Sequence, residues 1–382
     1  MGTCHSSPSS LSSPSQCNAD GFDIIRNEES GIALAPDEDQ PAIAGTSKPG
    51  AEGLSELGFE YRLVLCEDHA DDGRSTAREP GSGNSCFGCA TRLFHASSGT
   101  MITAVNRRDC IPDGRSFDEV SRVCQEVAQE RVARERSLKF VNVFPDDARG
   151  EPVRALVDAD GCEDSGPRLK SRPTFLFITG KGKSRAGVVS VKEVIISGVE
   201  KGSALFHLER AQNCGLATVC LDPNAMGEER GMEVIDRSLT ALFESWEDAP
   251  VYILAHSAAG GYLVRYLLLG AARERLLPHI RAIAFTDSTH RLPWARDDPP
   301  LFSLLQSPRC LYVRNDAART SAVAFGGDKA KAEPGEDADV DMWWRQRFGE
   351  LRTVWAGTVE HSAMCWIARG IIWDFLDSHA AE

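Results

Sequence analysis

Residues 249–270, APVYILAHSAAGGYLVRYLLLG, decide how this chain is read. The run from Val251 to Leu254 is uninterrupted apolar sequence, the pattern of a central strand buried on both faces. It passes without a linker into Ala-His-Ser-Ala-Ala and then into an apolar stretch of helical length. A strand that turns sharply into a helix has room only for small residues two before and two after the turn, and Ala255 and Ala259 fill those places. Such a turn lifts the hydroxyl of Ser257 above the sheet. It also sets the Ala258 N–H at a helix N-terminus, where a developing negative charge is favoured. The layout is that of a nucleophile on a strand-to-helix elbow. The plainer reading, a serine capping an ordinary helix, is separated from it only by what the rest of the chain supplies.

Outward from this segment the same texture recurs. TFLFIT (174–179), LATVCLD (216–222), RAIAFTD (281–287), RCLYVRN (309–315) and RTVWAG (352–357) are short apolar runs separated by helix-length amphipathic stretches. Apolar strands alternating with helices predict an α/β domain over residues 173–380, with a mostly parallel sheet covered by helices on both faces. Chemistry in such sheets gathers at the carboxyl ends of the strands. Thr179-Gly180, Asp222, His256-Ser257, Asp287, Asp316 and His361 all fall at those ends.

A serine nucleophile needs a base and a group that orients the base. Asp287 follows a buried strand, and His361 lies between the last strand and a terminal helix, giving the chain order Ser, Asp, His. Asp316, one strand further on, is the alternative acid. His256 and His290 are read as loop-supporting histidines rather than as the base. The glycine-rich stretch FLFITGKGKSRAG (175–187) is not a phosphate loop of the Walker type, because the first glycine of that motif falls on Phe177. Its place after a strand instead predicts that Gly180, Lys181 and Gly182 bring a second backbone donor to the oxyanion. This scheme calls on no metal and no organic cofactor, and it suits an ester or amide of a small or lipid acyl group, between which nothing in the sequence selects.

The formal charge of −14 argues against a broad nucleic-acid-binding surface. The basic runs EVAQERVARERSLK and ITGKGKSRAG read as solvated helix surface and loop. Twelve cysteines are scattered along the chain, several in strand-like runs, and read as reduced core thiols of an intracellular protein. Cys86 and Cys89 have the spacing of half a zinc site, but Cys110 and Cys124 lack the second tight pair. Residues 1–55 are rich in Ser, Pro, Gly, Asp and Glu and are expected to be disordered, as is an insertion at about 71–85. Residues 56–172 read as an N-terminal extension. It holds a strand in LGFEYRLVLCED and a helix over about 117–140, opened by a capping box at Ser116 and Glu119. No stretch is long and apolar enough to span a membrane. MGTCHSS carries the N-myristoylation pattern at Gly2, with Ser6 in register and Cys4 placed for palmitoylation, so association with a membrane face through two acyl chains is a further expectation.

Four segments, FLFITGKGKSRAG, AHSAAGG, AFTDSTH and AGTVEHSAMCW, together resemble the Argonaute-binding domain family. That family includes a fission-yeast silencing factor, an animal cotranscriptional regulator and a domain of some fungal histone deacetylases. The resemblance covers about residues 173–380, with LGFEYRL near Phe59 similar to the start of the animal domain. It implies an α/β-hydrolase-like fold with Ser257, His361 and Asp287 on triad-like positions. It also implies a role in RNA silencing or cotranscriptional regulation, with an Argonaute-type protein as partner. The chain departs from the family at Thr179-Gly180, where His-Gly is usual, and at Ala258, where Tyr is usual. Two functional expectations therefore stand side by side: a serine hydrolase, and a hydrolase-fold scaffold that binds a protein.

Overall fold

The computed structural model describes residues 50–65, 89–144, 153–163, 166–271, 273–315 and 351–380, all within one compact unit. Helix α1 (Gly50–Glu56) leads into β1 (Phe59–Val64), which pairs antiparallel with β2 (Ala90–His95) and through it with β3 (Thr100–Met101). This small sheet and the long helix α2 (Arg115–Glu135) precede the main sheet. The main sheet has eight strands: β4 (Leu138–Phe144), β5 (Val153–Asp158), β6 (Thr174–Ile178), β7 (Ala217–Leu221), β8 (Val251–His256), β9 (Ile280–Thr286), β10 (Cys310–Arg314) and β11 (Thr353–Trp355). Their order is β4-β5-β7-β6-β8-β9-β10-β11. β5 runs antiparallel to both its neighbours, and every pairing from β7 to β11 is parallel.

Every residue of β6, β7 and β8 is buried, which explains their continuous apolar runs. Successive side chains of a strand point to opposite faces, and here they sort cleanly. Phe175, Phe177, Cys220 and Leu254 pack on one face with α2, with α4 (Leu205–Asn213) and with the terminal helix α8 (Arg369–Ser378). Leu176, Ile178, Val219 and Ile253 pack on the other with α5 (Gly231–Leu242), α6 (Ala258–Leu269) and α7 (Pro299–Gln306). A further short helix, α3 (Val191–Ile196), is N-capped by Ser190. Among the described residues no helix is long and apolar enough to cross a membrane.

Three expectations need correction. The helix expected to reach Phe140 stops at Glu135: Ser137 takes a positive φ of 53°, and Leu138 to Phe144 form the edge strand β4 instead. Its start is Gly114, without a side-chain cap, so the Ser116–Glu119 box is not used. The main sheet also begins at Leu138, well before residue 173, because β4 and β5 pair onto β7. Finally, the tail read as disordered to residue 55 is helical from Gly50, where α1 buries Leu54 and the Gly50 N–H reaches Glu130 of α2. Gly2, Cys4, Ser6, Cys86, the 71–85 stretch and Asp316 lie outside the described residues.

Candidate active site

Strand β8 delivers Ser257 with φ 56° and ψ −128° as the residue that heads α6. A non-glycine residue held there costs on the order of 1–3 kcal/mol, and such strain persists only where the surroundings enforce it. Here the Ser257 N–H donates to Thr286 O of β9 at 2.8 Å, and its carbonyl accepts from Thr289 at 3.2 Å. Ala255 and Ala259 are fully buried on either side, as the turn requires. Gly260 is equally constrained, since a Cβ there would collide with Ser288 Oγ. The Ser257 side chain makes no capping bond, so its hydroxyl is not spent on the helix as the plainer reading required.

One strand over, Asp287 follows β9, also at positive φ (47°), with its N–H on Val313 O at 2.8 Å. Asp tolerates this left-handed conformation better than most residues. His361 opens a single 3₁₀ turn (His361–Ala363) after β11, and its Nδ1 is hydrogen-bonded to Asp287 Oδ2. With Nδ1–H donated to the carboxylate, Nε2 is the nitrogen left to take a proton. Ser257 and His361 line one cavity of about 240 Å³, together with the Gly180–Ser184 loop, Val189, Val191 and Ser362. The His361 segment is tied to α3 by Ser362 Oγ donating to Glu193 at 2.7 Å and by the Lys192–Glu360 pair at 3.4 Å.

The two other histidines of this region are buried. His256 stacks on the His361 ring at 4.8 Å, and its Nδ1 meets Thr286 Oγ1 at 3.1 Å. Burial first, and then the neighbouring His361, push its pKa down to about 3, so it stays neutral. His290 holds Ser288 Oγ at 2.8 Å and is likewise driven to about 3 by burial.

The glycine loop runs hard against the serine: a Cβ on Gly180 would lie 2.8 Å from Ser257 Cβ and 3.4 Å from its Oγ. The Gly182 N–H, expected to face the oxyanion, instead donates to Asn224 Oδ1 at 3.0 Å. No backbone partner among the described residues takes the Lys181 N–H. The Ala258 N–H is unpaired by the geometry of a helix N-terminus. The Lys181 and Lys183 side chains point outward to Glu229 (3.1 Å) and Asp118 (2.8 Å). Asn224 carried no expectation from the sequence; the only signal was its place in LDPN, two residues past the strand-end Asp222. Among the described residues no three His, Cys, Asp or Glu side chains gather into a metal site.

The sheet order, the helices on both faces, the serine on a strand-to-helix elbow and the order Ser, Asp, His along the chain agree on one architecture. The fold is that of the α/β hydrolases. Solved structures of this fold are similar to it at low identity. Esterase LipW from Mycobacterium marinum is 13% identical, with a TM-score of 0.35 over 74% of this chain and 92% of that one. Carboxylesterase Cest-2923 from Lactobacillus plantarum WCFS1 is also 13% identical, with a TM-score of 0.29 over 63% of this chain and 97% of that one. A bromoperoxidase from Bacillus anthracis is 12% identical with a TM-score of 0.24; the match covers 40% of this chain and spans 45% of that protein's length. No protein-family model and no curated protein sequence matches the chain.

Proposed function

We propose that the protein is a serine hydrolase acting on an ester or amide of a small acyl group. The observation that carries this reading is the strained Ser257 sharing one cavity with His361, whose far nitrogen is bonded to Asp287. In this mechanism His361 Nε2 takes the proton of Ser257 Oγ as the oxygen attacks the acyl carbon. Asp287 fixes the imidazole tautomer and balances the imidazolium that forms. The N–H groups of Ala258 and Lys181 hold the oxyanion. Collapse of the tetrahedral species breaks the bond to the alcohol or amine, which leaves with the proton from His361. Water then enters, gives a proton to His361 and releases the acid by the same steps in reverse.

Cavity size supports a short acyl chain. About 240 Å³ lies below the usual range of about 300–1,000 Å³ for sites that take drug-sized ligands. The lining offers only Val189 and Val191 as aliphatic wall among the described residues, so a long chain would gain little of the ~0.8 kcal/mol that each buried methylene can give. A fluorophosphonate probe tests the reading: it should label the folded wild type at Ser257, fail on Ser257→Ala, and react at least about a thousandfold more slowly with His361→Ala. A folded wild type that stays unlabelled ends it.

A second reading is a non-catalytic scaffold that binds an Argonaute-type protein, as the resemblance to that domain family implies. Co-precipitation of a purified Argonaute by the unlabelled Ser257→Ala variant as well as by wild type is the outcome that reading requires.

A further inference from the structure

We propose that Asn224 is the positioning residue of the oxyanion site, and that it acts by making the Lys181 N–H the loop's donor. This rests on the hydrolase reading of Ser257.

A side-chain amide has two N–H donors and one acceptor oxygen. Asn224, buried in the turn after β7, directs all of them at the glycine loop. Its Nδ2 donates to Gly180 O at 2.8 Å and to Ser184 O at 2.6 Å, and its Oδ1 accepts from Gly182 N–H at 3.0 Å. Turning the amide over would set two donors against the Gly182 N–H and an oxygen against two carbonyls, so chemistry permits one orientation only. The amide is itself anchored. The Asn224 N–H donates to Asp222 Oδ1 at 3.1 Å, and Asp222 Oδ2 takes Arg185 Nε at 2.6 Å, which returns to the far end of the same loop. The Arg185 N–H is in turn held by Gln125 of α2 at 3.0 Å. Both ends and the middle of residues 180–185 are therefore pinned from one side chain and its support.

The consequence reaches the serine through Gly180, which lies against Ser257. The next peptide in the chain carries the Lys181 N–H. The Gly182 N–H is turned away to Asn224, whereas the Lys181 N–H, one peptide on from the Gly180 that touches the serine, has no partner among the described residues. A slip of about 1 Å in that peptide is enough to lose most of its benefit to the transition state.

The test uses the full chain, p-nitrophenyl acetate turnover and fluorophosphonate labelling. Asn224→Ala should lower kcat about a hundredfold, the usual loss when one oxyanion donor fails, with KM within about twofold. Asn224→Asp keeps the size and the oxygen that accepts from Gly182 but cannot donate to Gly180 and Ser184; it should show the same split, and it serves if the alanine variant fails to fold. Lys181→Pro removes the donor directly, so adding Asn224→Ala to it should cost nothing more. Losses that multiply in the double variant, or an Asn224 variant that folds with wild-type kcat, overturn the proposal while leaving the hydrolase reading intact. A folded wild type that neither turns over nor labels removes the hydrolase reading and this proposal with it.

Discussion

Two neighbouring pairs of strand ends build the same site by different means. At β8 and β9 the main chain does the positioning. Ser257 and Asp287 both sit at positive φ, and each is locked by a backbone hydrogen bond to the adjacent strand. At β6 and β7 side chains do it, with Asn224, Asp222 and Arg185 tying a loop that has no strand partner of its own. The first arrangement is set when the sheet pairs; the second depends on a polar network whose members must all be satisfied. Substitutions should therefore damage chemistry in different ways at the two ends.

The sharpest break is at the main-chain end. Asp287→Asn preserves shape there but reverses the hydrogen-bonding demand on His361 Nδ1, favouring the wrong tautomer. Labelling of Ser257 should fall about 10⁴-fold with the melting temperature almost unchanged. A loss below tenfold would mean that Asp287 is not the orienting acid.

Acid should weaken the same end next. His256 and His290, both at the β8–β9 end, and His207 in α4 are buried and neutral, with pKa values depressed to about 3, 3 and 4 by burial. The unfolded chain binds protons at these histidines below their ordinary value of about 6.5, whereas the folded chain resists them until far lower. Their contribution is thus fully present above pH 6.5 and is lost progressively as pH falls from there through 4 to about 3. Three such groups give a slope of at most roughly 4 kcal/mol per pH unit. Denaturant midpoints measured from pH 7.5 to 4.5 should fall steeply, and His207→Phe should flatten the slope by about a third. A flat profile would show that these sites are reached by protons in the native state.

Smallest in effect, and confined to the side-chain end, is Gly180→Ala. The added methyl meets Ser257 Cβ at 2.8 Å, closer than side-chain carbons pack, so the loop or the serine must shift. Labelling should slow by about ten- to a hundredfold, with stability reduced by about 1–3 kcal/mol as in other overpacked sites. An unaffected labelling rate would mean that the loop moves freely relative to the serine.

What the sequence revealed follows the same division. The elbow is readable because a sharp turn demands small residues at fixed positions, and Ala255 and Ala259 meet that demand locally. The buried strands were readable because both faces are apolar. Asn224 was not, because its three bonds join residues about forty positions apart and no local pattern encodes them. β4 was missed for another reason: as an edge strand it keeps Lys139 and Phe140 exposed, so its alternation blurs into the preceding helix. Likewise Gly50–Glu56 has the composition of a tail and becomes helical by packing on α2, where tertiary contact overrides local preference.

The position of β6 between β7 and β8 also governs how the chain can be made. β6 leaves the ribosome before both of its partners, and β5 likewise waits for β7. Synthesis from Ile178 to Val251 takes on the order of ten seconds at ordinary elongation rates. Until β7 emerges the wholly buried β6 has no neighbour for either edge, and until Val251 emerges the edge that takes β8 stays open. Nascent chains halted short of Val251 should therefore be bound by chaperones, and release should follow once β8 has emerged and the sheet can close around its centre.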